Sequence, residues 1–298
     1  VIRSAGERTT EWCLLKSKSI FPAENVFVIN ESPMHTAIAK TYEIGIDRGK
    51  RWTIELDADL LIDQKGLSQL LARAESLPDY FFFHYGMVFD KLSNSFRSAG
   101  HKILRTSYLP KALAFLPKAK NELRPDTYIR KAMAKSGYHY YRDVVLVGIH
   151  DFEQSIADFY RKGYLHGVKN KTKVARFITQ WPNGWQNDPN YLAIKAGMED
   201  GLQHTGQLVL SPSFFESKFD AWKESSSLSM EKKPLDLNIR QMEEYVTEIM
   251  DKKMIADFRR LMLRRKYHYH HRSDGKGYYK FMKLLDRYYN KIQTASGH

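Results

Sequence analysis

Short apolar runs alternate with longer amphipathic stretches over the first 170 or so residues. Val1-Ile2 opens as a strand end and gives way to a polar loop through Thr9, followed by a helical stretch from Thr10 to Ser19. After Pro22, Asn25-Val26-Phe27-Val28-Ile29 reads as a buried strand closed by Asn30-Glu31, and His35 to Arg48 as a helix. Arg51 to Ile62 is an apolar strand that ends in Asp57-Ala58-Asp59 where it opens into a loop. Strand, helix, strand, helix, strand at this spacing predicts an α/β fold with a mostly parallel sheet and crossover helices.

The pattern continues with a helix from Gln64 to Ala74 and a strand from Tyr80 to Phe83. A hairpin follows over Met87 to Arg105, turning near Ser93-Asn94. Pro125 suits the first turn of a helix running from Asp126 to Ser136, and Gly137 its C-terminal cap. Tyr138 to Ile149 reads as a strand, after which Phe152, Ile156, Phe159 and Tyr160 recur at helical spacing up to Gly163. Beyond Thr172 the texture changes to loops at Trp181 to Pro189 and Ser225 to Ser227. Helical patterns then run through Met242, Tyr245, Val246, Ile249 and Met250, and from Met254 to Met262. A boundary near residue 175 is expected, dividing an α/β domain (1–175) from a mainly helical, basic C-terminal region (176–298).

Composition narrows the classes. Of 298 residues, 43% are hydrophobic and 13% aromatic, which excludes a disordered chain. No run approaches the eighteen or so apolar residues of a membrane span, and no signal-peptide pattern opens the chain. Residue 1 already reads as strand, so a native beginning upstream of it, with or without an anchor, is expected. The single cysteine, Cys13, reads as a core residue; it leaves no internal disulfide and fits the cytoplasm. The net charge of +13, from 47 Lys and Arg against 34 Asp and Glu, predicts an anionic partner. The densest segment is Arg259 to Lys266, followed by Tyr267, His268, Tyr269, His270 and His271. Its mixture of cations and aromatics suits peripheral contact with an anionic membrane surface, at the inner face of the cytoplasmic membrane.

Candidate chemistry centres on the aspartates. Alternation along a strand sends Asp57 and Asp59 to one side, where they suit a hard divalent cation whose shell substrate phosphates complete. Ligands of parallel sheets sit at the carboxyl ends of strands, which would gather Ser4 to Arg8, Asn30-Glu31 and Asp57 to Asp59 at one edge. His150 is a third candidate ligand, and a neutral imidazole there favours manganese over magnesium. Asp126 is the candidate general base, with Glu122 in reserve. Lys169 and Lys171 are candidate phosphate contacts, and His101 lies on the strand after the hairpin.

In their order along the chain, Ser4 to Arg8, Asn30-Glu31, Asp57-Ala58-Asp59, Pro125-Asp126 and His150 resemble the motifs of GT-A fold glycosyltransferases. The nearer likeness is to the inverting family-2-like enzymes that make bacterial polysaccharides. The resemblance implies that residues 1–175 form a nucleotide-sugar-binding catalytic domain, that Ser4, Ala5, Glu7 and Arg8 hold the nucleotide base and that Asn30 and Glu31 meet base or ribose. It implies that Asp57 and Ala58 contact the donor, that Asp57, Asp59 and His150 hold Mn2+ or Mg2+, and that Asp126 deprotonates the acceptor. The partners it implies are a nucleoside-diphosphate sugar and a glycan or lipid-linked glycan acceptor, not nucleic acid. The chain departs from the family where Asn30-Glu31 replaces an Asp-Asp pair and Pro125-Asp126 a Glu-Asp pair. Two rival classes are a nucleotidyltransferase acting on sugar phosphates, disfavoured by the lone Gly6 after the first strand, and a non-catalytic polyanion-binding module.

Overall fold

The computed structural model of the chain describes residues 1–119, 122–206, 212–226, 232 and 239–249. Val1–Thr247 form one compact unit, and the expected division near residue 175 falls inside it. Glu248–His298 form a second, of which Glu248 and Ile249 are described. The helix expected at Met254 to Met262 and the basic segment Arg259 to Lys266 lie outside the described residues.

Strands β1 (Ile2–Arg3), β2 (Val28–Ile29), β3 (Trp52–Asp57), β4 (Leu60–Ile62), β5 (Phe81–Asp90), β6 (Ser95–Arg97), β7 (His101–Arg105) and β8 (His139–His150) form one sheet. The helices are α1 (Thr10–Ile20), α2 (Met34–Arg48), α3 (Gln64–Glu75), α4 (Leu109–Leu113), α5 (Leu116–Ala119), α6 (Pro125–Lys135), α7 (Ile156–Lys169), α8 (Val174–Ile178), α9 (Pro189–Gln203), α10 (Pro212–Ser225) and α11 (Ile239–Ile249).

The strand order is β2-β1-β3-β7-β5-β8-β4, with β6 paired to β5 off this path. The α/β class holds, but the sheet is mixed where a mostly parallel one was expected. β1 pairs parallel with β2 and β3, and β5 with β8; β3–β7, β5–β7, β5–β6 and β4–β8 are antiparallel. The reason is the hairpin over residues 81–105: the short turn after β5 reverses the chain, and β6 and β7 follow one another on the return arm, both antiparallel to β5. That return arm slots β7 backwards between β3 and β5. Of the six other strands on the path, β4 runs opposite to β8, while the five strands β1, β2, β3, β5 and β8 all run one way, so their carboxyl ends share an edge.

The apolar segment Arg51 to Ile62 is two strands instead of one. β3 ends at Asp57, the chain turns through Ala58-Asp59, and β4 crosses to the far edge to pair with β8, Leu60 opposite His150. Asp57 and Asp59 therefore lie on either side of a turn and acquire different neighbours.

α2, α4, α5 and α6 bury Ile38, Tyr42, Leu109, Ala112, Ile129 and Met133 against Phe82, Phe83 and Leu104 of the sheet. Each such large apolar side chain contributes roughly 1.5–3 kcal/mol on burial. Asp63 caps α3, its carboxylate accepting from Gly66 N at 2.6 Å. Gly66 itself rests on β8: a Cβ there would lie 1.8 Å from Leu146 O, closer than a methyl group can sit. A second core joins Ile156, Phe159 and Tyr160 of α7 to Tyr191, Ile194 and Met198 of α9.

The helical spacing that ended at Gly163 in the sequence continues to Lys169. Gly163 is a contact point and not a terminus. A Cβ on Gly163 would lie 2.2 Å from Ile194 O, on Gly167 2.3 Å from Met198 O, on Gly197 2.1 Å from Tyr160 O and on Gly201 2.2 Å from Tyr164 O. Four glycines thus let the α7 and α9 backbones touch. Among the described residues, no helix is long and apolar enough to cross a membrane.

Candidate active site

The carboxyl ends of the five co-directional strands present Ser4 after β1, Asn30 after β2, Asp57 on β3, Asp90 on β5 and His150 on β8. Two ion networks occupy this edge, one built on each aspartate of Asp57-Ala58-Asp59.

The first network is centred on Arg3. Its guanidinium reaches Asp57 Oδ1 at 2.5 Å through Nη2 and 3.1 Å through Nε, and Glu55 Oε1 at 2.9 Å. Glu55 is also paired with Lys102, whose ammonium lies 3.7 Å from Asp126 Oδ2. The chain Asp57–Arg3–Glu55–Lys102–Asp126 thus runs from strand β3 to the head of α6. Asp57 and Asp126 are each 32% exposed at the side chain while Glu55 is 2% exposed, so both ends of the chain face outward from a buried middle. Burial acts to raise the Asp126 carboxyl, but Lys102 and Arg3 outweigh it and hold the group below the usual range.

The second network is buried. His150 Nε2 lies 3.2 Å from Asp59 Oδ1, and its Nδ1 lies 2.9 Å from both Asp90 Oδ2 and Asp151 Oδ2. The Lys162 ammonium from α7 bridges Asp59 Oδ2 and Asp151 Oδ1. Asp90 is held by Arg97 at 2.5 Å and accepts hydrogen bonds from Ser93 N at 2.8 Å and Ser93 Oγ at 2.6 Å. Burial alone would drive His150 neutral, but Asp151 and Asp59 reverse it and lift the imidazole well above its ordinary value. Asp59, Asp90 and Asp151 all lie below the carboxylate range, burial being overcome by His150 with Lys162, by Arg97 with His150, and by His150 with Lys162 respectively.

Local backbone makes this packing possible. Asp151 follows the strand at φ 64°, a left-handed conformation that turns its carboxylate back toward His150 and Lys162. Gly100, at φ 71°, passes so close to the imidazole that a Cβ would lie 2.5 Å from His150 Cδ2. Asp57 N donates to Gly100 O at 2.7 Å, tying the two networks' backbones together.

The expected donor loop is folded on itself. Glu7 accepts from Ala5 N at 2.6 Å and Ser4 Oγ at 3.1 Å, and Gly6 N donates to Ser4 Oγ at 3.1 Å. Burial, then Asp59, raises the Glu7 carboxyl, and its neighbour Arg8 is half-buried. The Ala58 side chain is fully buried and its backbone is used, N donating to Arg3 O at 2.9 Å and O accepting from Thr9 Oγ1 at 2.7 Å. Asn30 and Glu31 are exposed beyond β2 and join neither network; Glu122 is exposed as well. Lys171 donates to His204 O at 3.3 Å, and burial, then Arg124, lowers Lys169. Cys13 is buried, as read. His101 is a framework residue: Nε2 accepts from Gly86 N at 2.7 Å while Nδ1 faces Ala99 O at 2.7 Å, which fixes a neutral ring.

Asp90, Arg97, Asp151, Lys162, Arg3 and Lys102 were not anticipated. Asp151 carried a signal, an acid immediately after a strand-terminal histidine. The others are single charges whose role depends on strand order. Among the described residues, two triads bring ligand atoms within 4.8 Å of one another, Asp57 with Asp59 and His150, and Asp90 with His150 and Asp151. A hollow of about 350 Å³ lined by Ile46, Lys50, Arg51, Arg105 and Pro110 lies at the opposite, amino end of β3. Comparison with protein-family models, with curated proteins and with solved structures returns no match.

Proposed function

We propose that the chain is a metal-dependent glycosyltransferase of the GT-A type, moving a sugar from a nucleoside-diphosphate donor to a hydroxyl acceptor with inversion. The observation that carries this reading is the meeting of Asp57, Asp59 and His150 at the carboxyl edge of co-directional strands, with Asp126 joined to that edge through Lys102, Glu55 and Arg3.

The residues fit a divalent cation. Asp59 Oδ1 is buried, with His150 Nε2 beside it at 3.2 Å, and a mixed carboxylate and imidazole set suits Mn2+. Asp59 and His150 would hold the ion, joined by the more exposed Asp57; His150 would give up its Nε2 proton on binding and keep its Nδ1 proton toward Asp90 and Asp151. When bound, such a cation neutralises the diphosphate as its bond to the anomeric carbon breaks.

The chain's own groups account for the rest. Asp126 heads α6, where backbone amides favour negative charge, and Lys102 and Arg3 keep it ionised and ready to accept a proton. It takes the proton of the acceptor hydroxyl as that oxygen bonds to the anomeric carbon and the diphosphate departs. Arg3 fixes the direction of Asp57, and the buried Asp59 network keeps water from the charged groups behind the donor. The acceptor we propose is a glycan or lipid-linked glycan of a bacterial surface polymer. The basic segment Arg259 to Lys266 would meet an anionic membrane surface at the cytoplasmic face.

The test is binding and hydrolysis across a panel of nucleotide sugars with Mn2+, with Mg2+ and with chelator. One donor should bind and turn over only with metal, and Asp59→Ala should lower that rate by about 100-fold or more. Absence of nucleotide-sugar binding under every condition, with metal-independent retention of polyanions, would reject the reading in favour of a binding module.

A further inference from the structure

Lys162 is held where a cation is expected. Its ammonium, 14% exposed, bridges Asp59 and Asp151, and its backbone cannot retreat because the adjacent Gly163 packs against Ile194 of α9. Within the buried cluster the carboxylates already have cationic partners, Lys162 on Asp59 and Asp151 and Arg97 on Asp90. A dication arriving beside Asp59 brings two further positive charges into a site screened weakly from them. Arg97 is anchored on Asp90 by two close contacts at the far side, from Nε at 2.6 Å and Nη2 at 2.5 Å. Lys162 is the positive group of this cluster on a long flexible stem, with four methylenes that let its head swing while its helix stays fixed.

We propose that Lys162 is a tethered counter-ion that fills the cation's place on Asp59 in the metal-free protein, and that a divalent cation binds by displacing its ammonium. This rests on the reading of Asp59 and His150 as cation ligands. Its consequence is that Asp59 and Asp151 stay paired, and the cluster folded, without metal. Cation affinity is lowered by the competition, and the displaced ammonium becomes available to an anion at the same edge.

The probe is Mn2+ alone, with the full chain and no donor, its free concentration read by electron paramagnetic resonance. Lys162→Met, which keeps the stem and removes the charge, should bind Mn2+ at least tenfold more tightly than the native chain; Lys162→Arg should bind no more tightly than native. In the native chain, acylation of Lys162 by an amine reagent, read by peptide mass, should rise several-fold at saturating Mn2+. Native Mn2+ binding with no tightening in Lys162→Met and unchanged Lys162 acylation overturns the displacement while leaving the cation site standing. If neither native nor Lys162→Met binds Mn2+, the cation reading and the displacement fall together. Should Lys162→Met fail to fold, the acylation result in the native chain decides.

Discussion

Asp57 and Asp59 stand two residues apart and live in different surroundings. Asp57 ends a strand, is 32% exposed, and shares Arg3 with Glu55. Asp59 lies past the turn, is 7% exposed at the side chain, and faces Lys162 and His150, with Asp151 across them. One network orients a group that meets solvent; the other packs charge against charge behind it. A two-residue acidic motif therefore holds two jobs, and the turn at Ala58 is what separates them.

Breaking the buried side should cost most. Asp59→Asn leaves the cluster with excess positive charge and should lower unfolding free energy by about 3–5 kcal/mol. Asp57→Asn, partly exposed and leaving Arg3 its Glu55 partner, should cost about 1 kcal/mol or less. Urea denaturation of both, in chelator, checks the ordering; equal losses would erase the distinction. Next in size is Gly163→Ala, which touches neither aspartate. Its methyl group would press on Ile194 O, and we expect a loss of about 1–3 kcal/mol with weakened Lys162 contact. A stability equal to native would show that the α7–α9 contact is looser than described.

The two buried histidines sharpen the comparison through pH. His101 is neutral, lowered by burial to about 4 from 6.5, so the unfolded chain takes up its proton first. Its contribution is intact above pH 6.5 and is lost as pH falls toward 4, by about 3 kcal/mol at most. His150 is raised, so its contribution is full below pH 6.5 and is lost as pH climbs through the folded value. Metal-free stability should therefore fall on both sides of about pH 6.5, and His101→Gln should flatten only the acid limb. A single slope through that pH would contradict the assignment. Smallest of all, Glu31→Gln, on an exposed residue outside both networks, should change stability by less than about 0.5 kcal/mol. Its effect, if the donor reading is right, is on nucleotide choice in the binding panel.

Much of this edge was legible before folding. Acids at the end of an apolar strand, a histidine at the end of another and an acid at the head of a helix are local features, and Asp57, Asp59, His150 and Asp126 carry them in single short segments. The hairpin over Met87 to Arg105 was legible too, but not that it would insert β7 between β3 and β5, because strand order depends on long-range packing. That insertion places Lys102 beside Glu55 and Gly100 against His150, which no local pattern shows. Lys162 looks like any cation on an amphipathic helix; only the docking of α7 on α9 through four glycines aims it at Asp59. Gly163 read as a helix end because a glycine in a helix is costly unless something needs the space.

The most direct test of the account is anomalous scattering from crystals grown with Mn2+ and a nucleoside diphosphate. The account predicts one strong peak bonded to the Asp59 carboxylate and His150 Nε2, with the Lys162 ammonium moved off Asp59. Absence of a peak at Asp59, with Lys162 still bridging Asp59 and Asp151, would contradict it.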